Sequence, residues 1–84
     1  MVNTLYSKND CRWCRLLVEH LVERGIPFEE VKIDADIQNL VELRNRIPGV
    51  KTVPQFFMDD KLVGGYDETM KYLIQHDLEP TRHE

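Results

Sequence analysis

The chain has 84 residues and a formal net charge of -4, enough for one domain that buries roughly 60% of its unfolded surface. No apolar run approaches the ~18 residues a membrane helix needs, and the opening MVNTLYSK lacks the basic start, apolar stretch and small-residue cleavage site of a secretory signal. The acidic balance argues against nucleic acid, whose binding rests on neutralising phosphates. The expectation is a single soluble, cytoplasmic domain over residues 1–84, monomeric by default at this size, with proteins and small molecules as partners and no membrane association.

In chain order, VNTLY is a short β-prone run stopped by the polar cluster Ser7, Lys8, Asn9 and Asp10. From Cys14 the apolar residues Leu17, Val18, Leu21 and Val22 recur at helical spacing, with Glu19 and Glu23 turned away, until Gly25 and Pro27 end the helix. PFEEVKID alternates Val31 and Ile33 with charges and reads as a second strand. Asp36 caps a second helix with an apolar stripe of Ile37, Leu40 and Val41, closed by Pro48 and Gly49. PQFFMDDKLVGG is two β-prone runs about a polar DDK turn, a hairpin. A last helix starts near Asp67 with Met70, Leu73 and Ile74 on one side, and residues 79–84 are expected to fray. The order βαβαββα predicts an α/β fold: strands separated by helices pair in parallel, the hairpin adds antiparallel strands, and helices flank a mixed sheet.

The two cysteines, Cys11 and Cys14, sit where the first helix begins. A disulfide between them closes almost no loop, so it does little to restrict the unfolded chain. A CxxC pair in a reducing compartment points to redox or metal chemistry. With Asp10 as N-cap, Cys11 falls in the first turn, where unpaired amides and the helix dipole favour an anion and lower a thiol's pKa below its ordinary value. Lys8, Arg12 and Arg15 push the same way, partly opposed by Asp10. Cys14, one turn deeper and facing the apolar stripe, is the natural resolving thiol for a mixed disulfide formed at Cys11. Two alternatives stand beside this: a buried structural pair, and a zinc site, for which His20, His76 and His83 lack paired ligand spacing.

The segments YSKNDCRWC, KTVPQFFMDD and LVGGYDE, in this order and at this spacing, resemble those of the glutaredoxins, and the similarity runs through nearly the whole chain. The resemblance implies a thioredoxin-like fold with a four-stranded mixed sheet. It also implies a dithiol enzyme of electron transport and cell redox homeostasis, reducing protein disulfides and glutathione mixed disulfides with glutathione as reductant. Lys8 then pairs with the glycine carboxylate of glutathione, or else is a solvated surface lysine. Trp13, where the family more often has tyrosine, offers an aromatic wall beside the reactive sulfur. Thr52, Val53 and Pro54 match a loop whose proline is cis, which turns the Val53 backbone toward the CxxC to pair with the cysteine of glutathione like an added strand. Lys51 assists with a carboxylate or is a loop charge. Gly64 and Gly65 end the last strand and let the backbone approach a ligand. Tyr66, Asp67 and the following amides suit the γ-glutamyl end, although Asp67 serves equally as a plain N-cap.

Two departures from the pattern carry alternatives. Arg12 replaces the usual proline after the first cysteine, which in the family accompanies some members holding a [2Fe-2S] cluster between two subunits and two glutathiones; no resident metal is otherwise expected. Glu68 and Thr69 follow Asp67 where a second aspartate and an apolar residue are usual, leaving open which acid meets the γ-glutamyl amine. A related redoxin recharged by thioredoxin reductase carries a tryptophan-serine-glycine-phenylalanine signature near the last helix, where this chain has GGYDE. Ribonucleotide reductase is a partner the resemblance suggests, with no residue that identifies it.

Overall fold

In a computed structural model that describes residues 2–76, the strands β1 (Thr4–Ser7), β2 (Glu29–Lys32), β3 (Gln55–Met58) and β4 (Lys61–Gly64) form one sheet in the order β2-β1-β3-β4. β1 runs parallel to β2 and antiparallel to β3, which pairs antiparallel with β4. The helices α1 (Arg12–Glu23), α2 (Ile37–Arg46) and α3 (Tyr66–Gln75) complete the βαβαββα order expected from the sequence. The predicted tail at 79–84 lies outside the described residues.

Alternation along the two inner strands divides the core. Leu5 and Phe56 face one side with Leu17 and Leu21 of α1 and Leu73 of α3, whereas Tyr6 and Phe57, one residue on, face the other with Leu43 of α2. The sheet is thus covered on both faces, which fixes the register of β1 and β3 because a one-residue slip would exchange the two sets.

Three predicted stripes turn out narrower than the sequence suggests. Val22, Ile37 and Ile74 are 64%, 65% and 61% exposed. In α2 the inward line is Leu40, Leu43 and Ile47, at i, i+3 and i+7, whereas Ile37 and Val41 share a line with Arg44, whose charge belongs in water. Val22 lies a helical step beyond Leu21, past the face that α3 covers.

α2 is tied to the sheet by polar groups as well as by Leu43. The Tyr6 hydroxyl donates to Glu42 Oε2 and accepts from Arg46 at 3.0 Å. The Arg46 guanidinium lies 3.8 Å from the centre of the Phe57 ring. Burial, and then the hydrogen bond to Glu42, raise the Tyr6 pKa above its ordinary value. The folded phenol therefore holds its proton where the unfolded chain has released it, so stability is fully present below about pH 10 and falls as pH rises further. Tyr6→Phe is expected to cost about 1–2 kcal/mol at neutral pH and to flatten that alkaline decline. Urea midpoints between pH 8 and 11 for both proteins check it, and parallel declines would show that Tyr6 is not the group responsible.

Candidate active site

Cys11 is itself the N-cap of α1. Its backbone has φ -120° and ψ 104°, and the Cys14 amide donates to Cys11 Sγ at 3.2 Å. Asp10, expected as the cap, instead takes a left-handed conformation at φ 53°. An N-cap residue needs extended backbone, which Asp10 lacks and Cys11 has. The correction strengthens the chemical reading. The sulfur, not a neighbouring carboxylate, receives the free amide of the helix start, and a thiolate at this position accepts it more strongly than a neutral thiol.

The two sulfurs are joined in a disulfide. Cys11 is 8% exposed and Cys14 2%, so an incoming disulfide meets Cys11 first. The loop before the pair is pinned to the β2 side of the sheet: the Asn9 amide donates to Asp34 Oδ2 at 3.0 Å, and Lys32 Nζ donates to Asn9 Oδ1 at 2.9 Å. The pair thus rests on the C-terminal end of β1, where α1 starts.

Facing the pair, the Val53–Pro54 peptide bond is cis, as the resemblance implies, and the Val53 carbonyl oxygen lies 3.9 Å from Cys11 Sγ. Two hollows flank this loop and share Thr52 and Val53. One, of about 420 Å³, is walled by Trp13, Pro54, Gly65, Tyr66, Asp67 and Glu68. The other, of about 260 Å³, collects Lys8, Lys51 and Arg44. The structure therefore gathers Trp13, Pro54, Gly65, Tyr66 and Asp67 on one side of the loop and Lys8 with Lys51 on the other, with Thr52 and Val53 between them.

Trp13 is 52% exposed, with its ring centre 5.0 Å from that of Tyr66 and the Arg12 guanidinium 5.7 Å from its own centre. α3 begins at Tyr66 with Gly65 as N-cap, and Glu68 Oε1 accepts the Gly65 amide at 3.0 Å. Glu68 is thereby engaged in holding the helix start, while Asp67 in the same first turn projects to solvent.

Sequence reasoning missed two contributors. His20, half-buried on α1, sits 3.1 Å from the Tyr66 hydroxyl through Nε2, while Arg24 lies 3.2 Å from its Nδ1. Nδ1 also stands 3.6 Å from Glu23 Oε1, so the ring is held between its own helix and the start of α3. The only hint was position: His20 lies at the edge of the Leu17 and Leu21 stripe. Arg44 is the other, a cation on the outward line of α2 whose place beside Lys51 depends on how α2 packs.

A family model described as glutaredoxin matches residues 3–63 of the chain. The chain belongs to the glutaredoxin family. Glutaredoxin 3 of Escherichia coli strain K12 is 32% identical over 76 residues, covering 90% of this chain and 90% of that protein. Among solved structures, glutaredoxin 1 from Francisella tularensis, complexed with cacodylate, gives a TM-score of 0.71 at 29% identity, covering 90% of this chain and 94% of that one. The glutaredoxin-like NrdH-redoxin from Escherichia coli gives 0.71 at 26% identity, covering 98% of this chain and 100% of that one. As a glutaredoxin, the protein is a thiol oxidoreductase of thioredoxin fold with a CxxC pair at Cys11 and Cys14. Among the described residues no helix is long and apolar enough to cross a membrane.

Proposed function

We propose that this glutaredoxin is a glutathione-dependent thiol-disulfide oxidoreductase, acting on protein disulfides and on glutathione mixed disulfides. The observation that supports it most is the placing of the Val53 main chain beside Cys11 Sγ, between a hollow bearing Asp67 and one bearing Lys8 and Lys51. A short peptide laid along Val53 as an added strand presents its cysteine to Cys11, its ammonium to Asp67 and its carboxylate ends to cations or to the amides of α3. The larger hollow lies within the usual ~300–1,000 Å³ range of small-molecule sites, so glutathione fits in size and in charge. With Glu68 spent on the Gly65 amide, Asp67 is the acid that meets the γ-glutamyl amine.

The Cys11 thiolate attacks one sulfur of the substrate disulfide, and the bond between the substrate sulfurs breaks as the Cys11 mixed disulfide forms. Cys14 then attacks Cys11, releases the second substrate thiol and leaves the internal disulfide. Two glutathione thiols in succession restore the dithiol, the first forming a mixed disulfide at Cys11 and the second leaving as oxidised glutathione.

A second reading, recharging by thioredoxin reductase, is favoured by the likeness to NrdH-redoxin from Escherichia coli, a glutaredoxin-like protein with a thioredoxin-like activity profile. A coupled assay separates the two. A glutathione mixed disulfide is supplied with glutathione, glutathione reductase and NADPH, against a parallel reaction with thioredoxin reductase. Turnover is expected in the first, and turnover in the second alone would discard glutathione as the reductant.

A further inference from the structure

The aliphatic part of the smaller hollow has no use in glutathione reduction. Its exposed rim is Lys8, Arg44 and Lys51, which answers to a carboxylate. Its interior is Ile33, Leu40, Leu43 and Val50, with Leu43 only 1% exposed and the others half-buried. If the γ-glutamyl end of glutathione lies at Tyr66 and Asp67, the chain following its cysteine runs to this hollow, and that residue is glycine. Glycine has no side chain to cover the exposed parts of Ile33, Leu40 and Val50.

Resting on the reading of the site above, we propose that this hollow is a side-chain subsite for protein disulfides, selecting a reactive cysteine followed by an aliphatic residue and then a carboxylate. At about 260 Å³ it is below the range of whole-ligand pockets and leaves room for an aliphatic side chain together with part of the residue after it. Its place is set by Val53, which lines it and whose carbonyl oxygen is 3.9 Å from Cys11 Sγ. One residue of extended chain advances about 3.3 Å, so the residue after a cysteine held at Cys11 is the one within reach. Charge complementarity fixes what comes next. Among the described residues no acid lines the hollow, and Lys8, Arg44 and Lys51 take part in no ion pair.

The test uses the reduced full chain, freed of excess reductant, in single turnover with the symmetric disulfides of three N-acetylated peptide amides: Cys-Gly-Gly, Cys-Leu-Gly and Cys-Leu-Glu. Each turnover oxidises Cys11 and Cys14 to their disulfide and releases two peptide thiols, so two electrons pass to the peptide. Chromatography of quenched samples quantifies the thiols. The leucine peptide is expected to react about tenfold faster than the glycine peptide, at the low end of what a filled apolar pocket discriminates. Glutamate is expected to add about a further threefold at low salt, the scale of an exposed charge pair. Leu40→Ser is expected to bring the leucine-to-glycine ratio near one, and Arg44→Glu, at an exposed position, to erase the glutamate effect. Absence of either preference in the unaltered protein overturns the proposal, as does a glutamate effect that survives Arg44→Glu, and neither result depends on whether Leu40→Ser folds. No glutathione or reductase enters the experiment, so a failure of the coupled assay above would leave this ranking intact and the reverse.

Discussion

Cys11→Ser is expected to abolish reduction of every disulfide substrate, while Cys14→Ser keeps activity toward glutathione mixed disulfides within a few-fold and loses it toward protein disulfides. The asymmetry comes from the helix start. Cys11 Sγ receives the Cys14 amide at 3.2 Å and belongs to the more exposed of the two residues, which supports Cys11 as the attacking thiol. A serine hydroxyl there stays protonated and cannot replace the thiolate as nucleophile, and a loss of at least about a thousandfold corresponds to roughly 4 kcal/mol of barrier. Removing Cys14 deletes only the internal resolving step, which a glutathione thiol replaces when the trapped intermediate is the Cys11–glutathione disulfide. The coupled glutathione reductase assay measures both variants. Equal loss in the two would sink the assignment of nucleophile and resolving thiol.

Fold and site differ in how far the chain declares them. Strand and helix order follows from local signals: the β-prone VNTLY, the stripe from Cys14 to Leu21, the PG and GG breaks. These signals act over a few residues, and the structure reproduces them. What local signals miss is rotation. Leu43, nearly fully buried, lies outside the stripe of Ile37, Leu40 and Val41 that spacing picks out, because the inward face of α2 is chosen by Tyr6 and Phe57 across the sheet. The same holds at the site. Asp10 is a good N-cap by residue type, yet its left-handed backbone hands the role to Cys11, and residue type alone does not reveal that dihedral. The hydrogen bond between His20 and Tyr66 and the meeting of Arg44 with Lys8 at one hollow join elements distant in sequence. A single sequence carries no direct trace of either.

Gly64→Ala is expected to destabilise the protein by about 3–5 kcal/mol and to raise KM for a glutathione mixed disulfide, whereas Gly49→Ala costs only about 1–2 kcal/mol and leaves KM unchanged. Gly64 was expected from its sequence to make room for a ligand. The structure shows that what approaches it is α3. Gly64 sits at φ 128°, and an added Cβ would lie 2.7 Å from Glu68 Cβ and 3.0 Å from Glu68 Cγ. Backbone in that region costs a non-glycine residue about 1–3 kcal/mol, and pushing aside Glu68 Cβ, which is fixed to the backbone of α3, costs a similar amount again. Gly49, at φ 79° with nothing within 4 Å of its would-be Cβ, meets the first cost alone. The effect on KM follows from what Gly64 and Glu68 hold. Thr69 Oγ1 donates to the Gly64 carbonyl at 3.2 Å and Glu68 caps the Gly65 amide at 3.0 Å, so displacing either moves the start of α3. Tyr66 and Asp67, in the first turn of that helix, move with it, away from the place proposed above for the γ-glutamyl end of glutathione. Urea unfolding and steady-state kinetics on both variants decide the matter: equal destabilisation would mean that backbone strain alone sets the requirement for glycine, and a large loss of stability with KM unchanged would separate the packing of α3 from the binding groove.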